Sequence, residues 1–183
     1  MVTLDGQDEH LLRSAIAISG RSREHGNHPF GALLADEDGR VLFEAENSVV
    51  TSGDVTGHAE IGLIRSASRT LPSEEFAKAT LYSSAEPCAM CAGAIYWAGI
   101  GRVVYAMAET DLLALTGSHA ENPTLDLGCR IVLASGQRHI EVVGPALADE
   151  AMAVHEGFWD GSSAPSPSPV REHPARIEDA PAS

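Results

Sequence analysis

The chain has 183 residues, with 12 Lys and Arg against 26 Asp and Glu, a formal charge of −14 at pH 7. That length suits one domain with a buried core, and a hydrophobic fraction of 44% is that of an ordinary globule. The acidic balance argues against nucleic acid or an anionic membrane as partner, because both attract clustered Lys and Arg; no apolar run approaches the roughly 20 residues of a membrane span.

In chain order, Leu11, Leu12, Ala15, Ile16 and Ile18 follow helical spacing and predict a helix over about 7–24. Phe30–Ala35 and Arg40–Ala45 are apolar runs around Asp36-Glu37-Asp38-Gly39, which reads as a hairpin. Ile61, Leu63 and Ile64 place a helix over 58–70, and Thr80–Ser83 is a short strand. Residues 88–98 are apolar nearly all round, so that helix is expected to be buried. Gly99-Ile100-Gly101 ends it, and Arg102–Ala106 is a β-branched strand. A short helix is expected within 124–135, a last strand at His139–Val143 and a C-terminal helix at Ala146–Trp159. Strands separated by helices predict a three-layer α/β/α domain with a five-stranded mixed sheet, a hairpin at one side and parallel neighbours at the other.

Residues 1–160 are thus expected to form the domain. Residues 161–183 hold five of the ten prolines, no aromatic residue, and Val170 and Ile177 as the only branched aliphatics. Such a segment buries too little to offset its ordering entropy, so it reads as a disordered Pro/Ser-rich tail, the alternative being an arm partly docked on a neighbouring subunit. Met1–Asp5 lacks the basic-then-apolar layout of a signal peptide. Three cysteines, two of them in Cys88-Ala89-Met90-Cys91, do not suggest a disulfide framework; a reducing cytoplasm and a metal or redox role for the pair are expected.

Two motifs carry chemistry, His58-Ala59-Glu60 and Pro87-Cys88-Ala89-Met90-Cys91. The C-x-x-C alone fits a redox pair, half of a structural zinc site that Cys129 or His119 would complete, or part of a catalytic zinc site. Together the motifs fit the third. Zinc takes nitrogen and sulfur ligands in a tetrahedron, and a catalytic site keeps one position open. His58, Cys88 and Cys91 supply three ligands, formally neutral with Zn²⁺. Glu60 is left as the proton carrier. His58 and Cys88 each begin a predicted helix, where the partial positive charge favours thiolate and hydroxide. The three-residue spacing puts both sulfurs on one face of a first turn.

H-x-E followed by P-C-x-x-C resembles the signature of the zinc base deaminases. The chain is similar to the cytidine/deoxycytidylate deaminase superfamily from about residue 10 to 160. It is nearest the branch that holds guanine deaminase, yeast-type cytosine deaminase and bacterial tRNA adenosine deaminase. His28-Pro29-Phe30-Gly31-Ala32 resembles that branch's P-F/V-G-A strand, and Asn47 stands 11 residues before His58, as in the branch. Asp54-Val55-Thr56-Gly57-His58-Ala59-Glu60 resembles D-P-T-A-H-A-E, with Val55 and Gly57 as departures. Tyr82–Cys91 resembles Y-T-S-x-E-P-C-x-M-C, while Cys91–Ala98 and Thr110-Asp111 are most like guanine deaminase.

The resemblance implies a cytidine-deaminase-like fold, Zn²⁺ as cofactor and hydrolytic deamination. Water attacks an amine-bearing ring carbon and ammonia leaves. It implies that Phe30 and Asn47 shape the pocket, that the Ala59 N–H receives a ring carbonyl, and that Glu86 positions the amine through its backbone. Packing is the alternative for Phe30, and a turn role for Asn47. His119 falls where guanine deaminase has an acid, either as a pocket donor or as a solvated loop residue; Glu121 would supply the acid if the register slips by two. Phe158 and Trp159 would stack on the flat ring or cap the core, and Asp160 or Glu156 would bind an exocyclic amine. Asp111 would fix its loop or face the pocket, and Cys129 reads as a buried thiol. A homodimer is implied, with 88–98 and 109–122 near the partner. Guanine-like, cytosine-like and amino-s-triazine rings all remain as substrates. The tRNA-editing alternative meets a physical objection: residues 145–160 hold four acids and no Lys or Arg, and Lys78 is the chain's only lysine.

Overall fold

A computed structural model describes residues 4–117 and 119–160; the expected tail at 161–183 lies outside them. The first helix, α1 (Gly6–Glu24), starts where the Asp5 carboxylate accepts the Asp8 N–H at 2.7 Å, an N-cap that satisfies one of the free first-turn donors. The hairpin forms as expected from β1 (Gly31–Ala35) and β2 (Val41–Glu46). Its turn closes on Asp36, whose Oδ1 accepts the N–H groups of Asp38 and Arg40, with Gly39 left-handed at φ 78°.

A four-residue turn of helix, α2 (Val49–Ser52), leads to α3 (Ala59–Ala67); α4 (Ser73–Lys78) then precedes β3 (Thr80–Ala85). The next elements are α5 (Ala89–Ala98), β4 (Arg102–Met107), α6 (Glu109–Thr116), α7 (Cys129–Ala134), β5 (Glu141–Val143) and α8 (Ala148–His155). The sheet order is β2-β1-β3-β4-β5, with β1 antiparallel to both neighbours and β3, β4 and β5 parallel. This is the expected mixed sheet. Every residue of β1 is buried, as a central strand covered on both faces requires. Leu33, Ala35, Tyr82, Val104 and Ala106 face a layer of α1, α6 and α8. Ala32, Leu34, Leu81, Val103 and Tyr105 face α3, α4, α5 and α7. Asp8 ties α1 to the sheet: its carboxylate takes both Arg102 guanidinium nitrogens at 2.7 Å and the Tyr82 hydroxyl at 2.7 Å.

Several expectations need correction. The 109–122 stretch, read as a loop, begins with α6. The short helix expected within 124–135 is present as Cys129–Ala134, its start set by a tertiary hydrogen bond. The C-terminal helix runs over 148–155 rather than 146–159; Leu147 is left-handed at φ 59° before it, and Gly157 at φ 67° turns the chain after it. Helix α5 is not buried all round. Cys91, Ala92 and Ile95 are covered, whereas Trp97 is 81% exposed, because the helix presents one face to the sheet and none of the described residues covers the other. Among the described residues no helix is long and apolar enough to cross a membrane.

Candidate active site

His58 is the N-cap of α3 and Cys88 the N-cap of α5, so both motifs sit at helix N-termini, as expected. The two helices lie on one layer and bring these ends together. His58 Nδ1 stands 3.6 Å from Cys88 Sγ and 3.5 Å from Cys91 Sγ, and the three ligand atoms all lie within 4.8 Å of one another. In a tetrahedral zinc centre with ordinary Zn–N and Zn–S bonds, nitrogen and sulfur are about 3.5 Å apart. The donor chemistry and the spacing therefore both fit zinc. The Cys88 thiol is drawn down to about 4, chiefly by the Cys91 thiol and then by His58, while Cys91, which donates to Cys88 and is buried, is pushed up.

Glu60, in the first turn of α3, is 6% exposed. Its Oε1 accepts from Ser83 Oγ at 3.3 Å and its Oε2 from Cys91 Sγ at 3.5 Å. Burial pushes its carboxyl above the ordinary range, with Cys88 adding to the effect. Ala59 is buried at the first position of α3, where helix geometry leaves the N–H without an intrahelical partner.

A wall of rings forms a second group. Trp159 lies 5.4 Å from His28, 6.3 Å from Phe30, 5.4 Å from His119, 6.0 Å from His155 and 4.9 Å from Phe158, centroid to centroid. His28 joins the two groups. It is close enough to His58 and His119 for like-charge repulsion, and burial above all holds its imidazole below the ordinary value. Its Nε2 is 3.3 Å from the Glu121 carboxylate. His119 accepts the Glu121 N–H on Nδ1 at 3.2 Å, so it belongs to a folded loop. Asn47 is 2% exposed. Its N–H donates to the Phe30 carbonyl at 3.0 Å, and its Oδ1 accepts the Val49 N–H at 3.0 Å. That carbonyl oxygen fills the turn role.

Glu86 lies outside both groups. Its carboxylate accepts the N–H of Glu109 at 3.1 Å and of Cys129 at 2.8 Å, the first residues of α6 and α7, and its own N–H donates to the Met107 carbonyl at 2.7 Å. Asp111 caps α6 through the Ala108 N–H at 3.2 Å, so it fixes its loop. Asp160 is exposed at the end of the described chain.

Sequence reasoning missed His28, Ser83, Glu109 and His155. Glu109 is half-buried, and burial together with the charge of Cys88 pushes it up to about 7. It directly precedes the quoted Thr110-Asp111, but no spacing marks it. A separate cavity of about 460 Å³, lined by Arg130, Leu133, Gln137, Arg138 and Ile140 among others, contains no acid, cysteine or hydroxyl residue. It is poorly suited to this chemistry.

The family model for the cytidine and deoxycytidylate deaminase zinc-binding region matches residues 5–107. A probable cytosine deaminase of Schizosaccharomyces pombe is 45% identical over 161 residues, 86% of this chain and 96% of its own. A tRNA-specific adenosine deaminase of Haemophilus influenzae is 33% identical over 102 residues, 56% of this chain and 59% of its own. A guanine deaminase structure from Nitrosomonas europaea superposes with a TM-score of 0.68 and covers 87% of each chain; at 24% identity this likeness speaks for the fold alone. With the His-Cys-Cys set and the neighbouring buried glutamate in place, the match over more than half its length makes the chain a member of the cytidine and deoxycytidylate deaminase zinc-binding family.

Proposed function

We propose that the protein is a hydrolytic deaminase that replaces the amine of a small, flat, amino-substituted ring with oxygen and releases ammonia. The observation that carries this reading is the buried Glu60 carboxylate between Ser83 and Cys91, beside three zinc-type ligands. His58, Cys88 and Cys91 would hold a zinc ion, which when bound would lower the pKa of a water enough for attack at neutral pH. Glu60 takes one proton from the attacking water and passes it to the ring nitrogen. It then takes the second from the hydroxyl so added to the ring carbon and passes it to the amine, which leaves as ammonia while the carbonyl forms. Burial raises its pKa towards the working pH, which suits a group that must both accept and release a proton.

The Ala59 N–H receives a ring carbonyl. Phe30 and Trp159 form the apolar wall, Asn47 and His119 its polar edge, and Asp160 contacts an exocyclic amine. Glu86 positions the metal loop through two helix N-termini, in addition to any backbone contact with the amine. A guanine-like or cytosine-like base or nucleoside fits this set, as does an amino-s-triazine.

Ammonia release from guanine, cytosine, isocytosine, ammeline and the nucleosides tests the reading. Turnover of at least one is expected. Inactivity on all of them, with deamination of a tRNA anticodon stem, refutes it in favour of the editing alternative. The four acids and absent basic residues of 145–160 weigh against that outcome.

The protein is further proposed to act as a cytoplasmic homodimer. Its three cysteines are free, and apolar side chains are exposed in the two segments expected near a partner: Met90 38%, Trp97 81%, Leu113 39% and Leu115 40%. Light scattering should give twice the chain mass for the protein and a lower mass for Trp97→Glu. A monomeric mass for the unmodified protein refutes the dimer.

A further inference from the structure

We propose that His155 is a positioning residue, which fixes the indole of Trp159 as one wall of the substrate pocket; this rests on the reading above, in which Trp159 faces the ring. His155 is the last residue of α8 and is 2% exposed. After it the chain leaves the helix at Glu156 and turns through Gly157, left-handed at φ 67°. Trp159 is thereby folded back onto the helix end. Its Nε1–H donates to His155 Nδ1 at 3.1 Å, and the two rings lie within 21° of coplanar.

The pairing fixes the tautomer. An indole N–H only donates, so Nδ1 accepts and the proton sits on Nε2. The imidazole is neutral at pH 7, since burial holds it at about 4. Nε2 is buried and has no hydrogen-bond partner among the described residues. A phenylalanine would fill the same space, 5.2 Å from the Phe30 ring, without an unpartnered donor. An orphaned buried donor is unfavourable and calls for an explanation. Here it follows from the hydrogen bond on the other side of the ring. Two other histidines, His28 and His119, meet the same indole at 5.4 Å each, but neither hydrogen-bonds to its N–H. Among the described residues His155 is the acceptor of that N–H, and a directional bond of this kind fixes how the ring is turned within its own plane.

The test compares His155→Phe, which keeps a ring and loses the acceptor, with His155→Asn, whose amide oxygen can take the place of Nδ1. Both are made with Trp97→Phe, so that Trp159 is the only fluorophore of its type. The substrate is the most active compound of the ammonia-release panel. His155→Phe should raise KM about tenfold, the loss of one hydrogen bond, with kcat within about twofold, unchanged zinc content and shifted indole emission. His155→Asn should restore both KM and emission. Unchanged KM and emission in His155→Phe overturn the proposal, as does equal impairment of both variants, which marks a purely structural role. Trp159→Ala separates the two readings. If it raises KM and His155→Phe does not, the positioning role fails alone. If it leaves KM unchanged, Trp159 does not face the ring, and the pocket reading and this inference fall together.

Discussion

Replacing Glu86 with Ala removes one carboxylate and releases two helices at once. Its oxygens accept the first N–H of α6 at 3.1 Å and of α7 at 2.8 Å, where the helix dipoles add to the attraction. A hydrogen bond to a charged group contributes about 1.5–3 kcal/mol. Both are at least partly shielded from water, and Cys129 is fully buried, so the combined loss should be about 3–5 kcal/mol. For a chain of this size that lowers Tm by roughly 6–20 °C. Glu86→Gln keeps one good acceptor and should lose about half as much. Gly128→Ala probes the same anchor from the other side, because a Cβ there would stand 3.0 Å from Glu86 Oε1. Glu86 is two residues before Cys88, so loosening it should also weaken zinc binding by about tenfold to a hundredfold, as loss of outer support usually does. Urea titration gives the stability and a chelator competition gives the affinity. If Glu86→Ala unfolds within about 1 kcal/mol of the parent and holds zinc equally well, the anchor has been misread.

Glu60→Gln should retain zinc and lower kcat by about 10²–10⁴, checked by metal analysis and ammonia release; undiminished kcat would remove Glu60 from the proton path. Chelation should abolish turnover and lower Tm, and added zinc should restore both; full activity after zinc has been shown to be gone would contradict the ligand assignment. In acid the buried groups should pull stability in opposite directions: His155 and Asp8 subtract from it, whereas Glu109, pushed up to about 7 against an ordinary 4.5, adds to it as it takes up a proton. His155 has a folded pKa of about 4 against an ordinary 6.5. Between these values the unfolded chain binds a proton that the folded chain refuses, so the contribution of His155 falls by about 3 kcal/mol from pH 6.5 to 4. Asp8 is held below its ordinary 3.8, first by the Arg102 guanidinium, so its share is present above that pH and lost on further acidification. Urea unfolding from pH 7 to pH 3 checks this: from pH 6.5 to 4 His155→Phe should gain about 3 kcal/mol relative to the parent, and a constant difference between the two would refute the His155 share.

The parts of the site that were legible in the sequence are the local ones. Asp36 to Gly39 closes its own turn, α1 shows its buried stripe by spacing, and His58, Cys88 and Cys91 fall three or fewer residues from a helix start. What was missed depends on distant partners. The N-cap of α6 is Ala108, which has no polar side chain, and the helix is held by Glu86 from 23 residues away. Helix α7 begins where the same carboxylate reaches it, not where the apolar pattern begins. The uniform apolarity of α5 could not distinguish a helix enclosed in its own domain from one with an apolar face left open. His28 and His155 are buried by tertiary packing, which no periodicity announces.

The charge of the chain bears on the substrate through the site itself. A neutral imidazole and two thiolates cancel a zinc ion, so the filled ligand set contributes no net attraction for anions. Around it stand Glu60, Glu86 and Glu109, and the mutual repulsion is visible in Glu109, whose raised pKa owes part of its shift to the other two. The ring wall adds two histidines, His28 and His155, that burial keeps neutral. A neutral base or nucleoside meets no electrostatic barrier there. A 5′-monophosphate does: one like charge about 8 Å away costs about 2 kcal/mol at an effective dielectric of 20, a factor of about 30 in kcat/KM. The nucleoside should therefore be preferred over its monophosphate by at least that factor at low salt. The gap should narrow as salt screens the acids. A preference for the monophosphate that salt weakens would mean that a basic group, with Arg23 over the Phe158 ring at 5.8 Å the nearest to the ring wall by its contacts, outweighs the acids, and would overturn this electrostatic account.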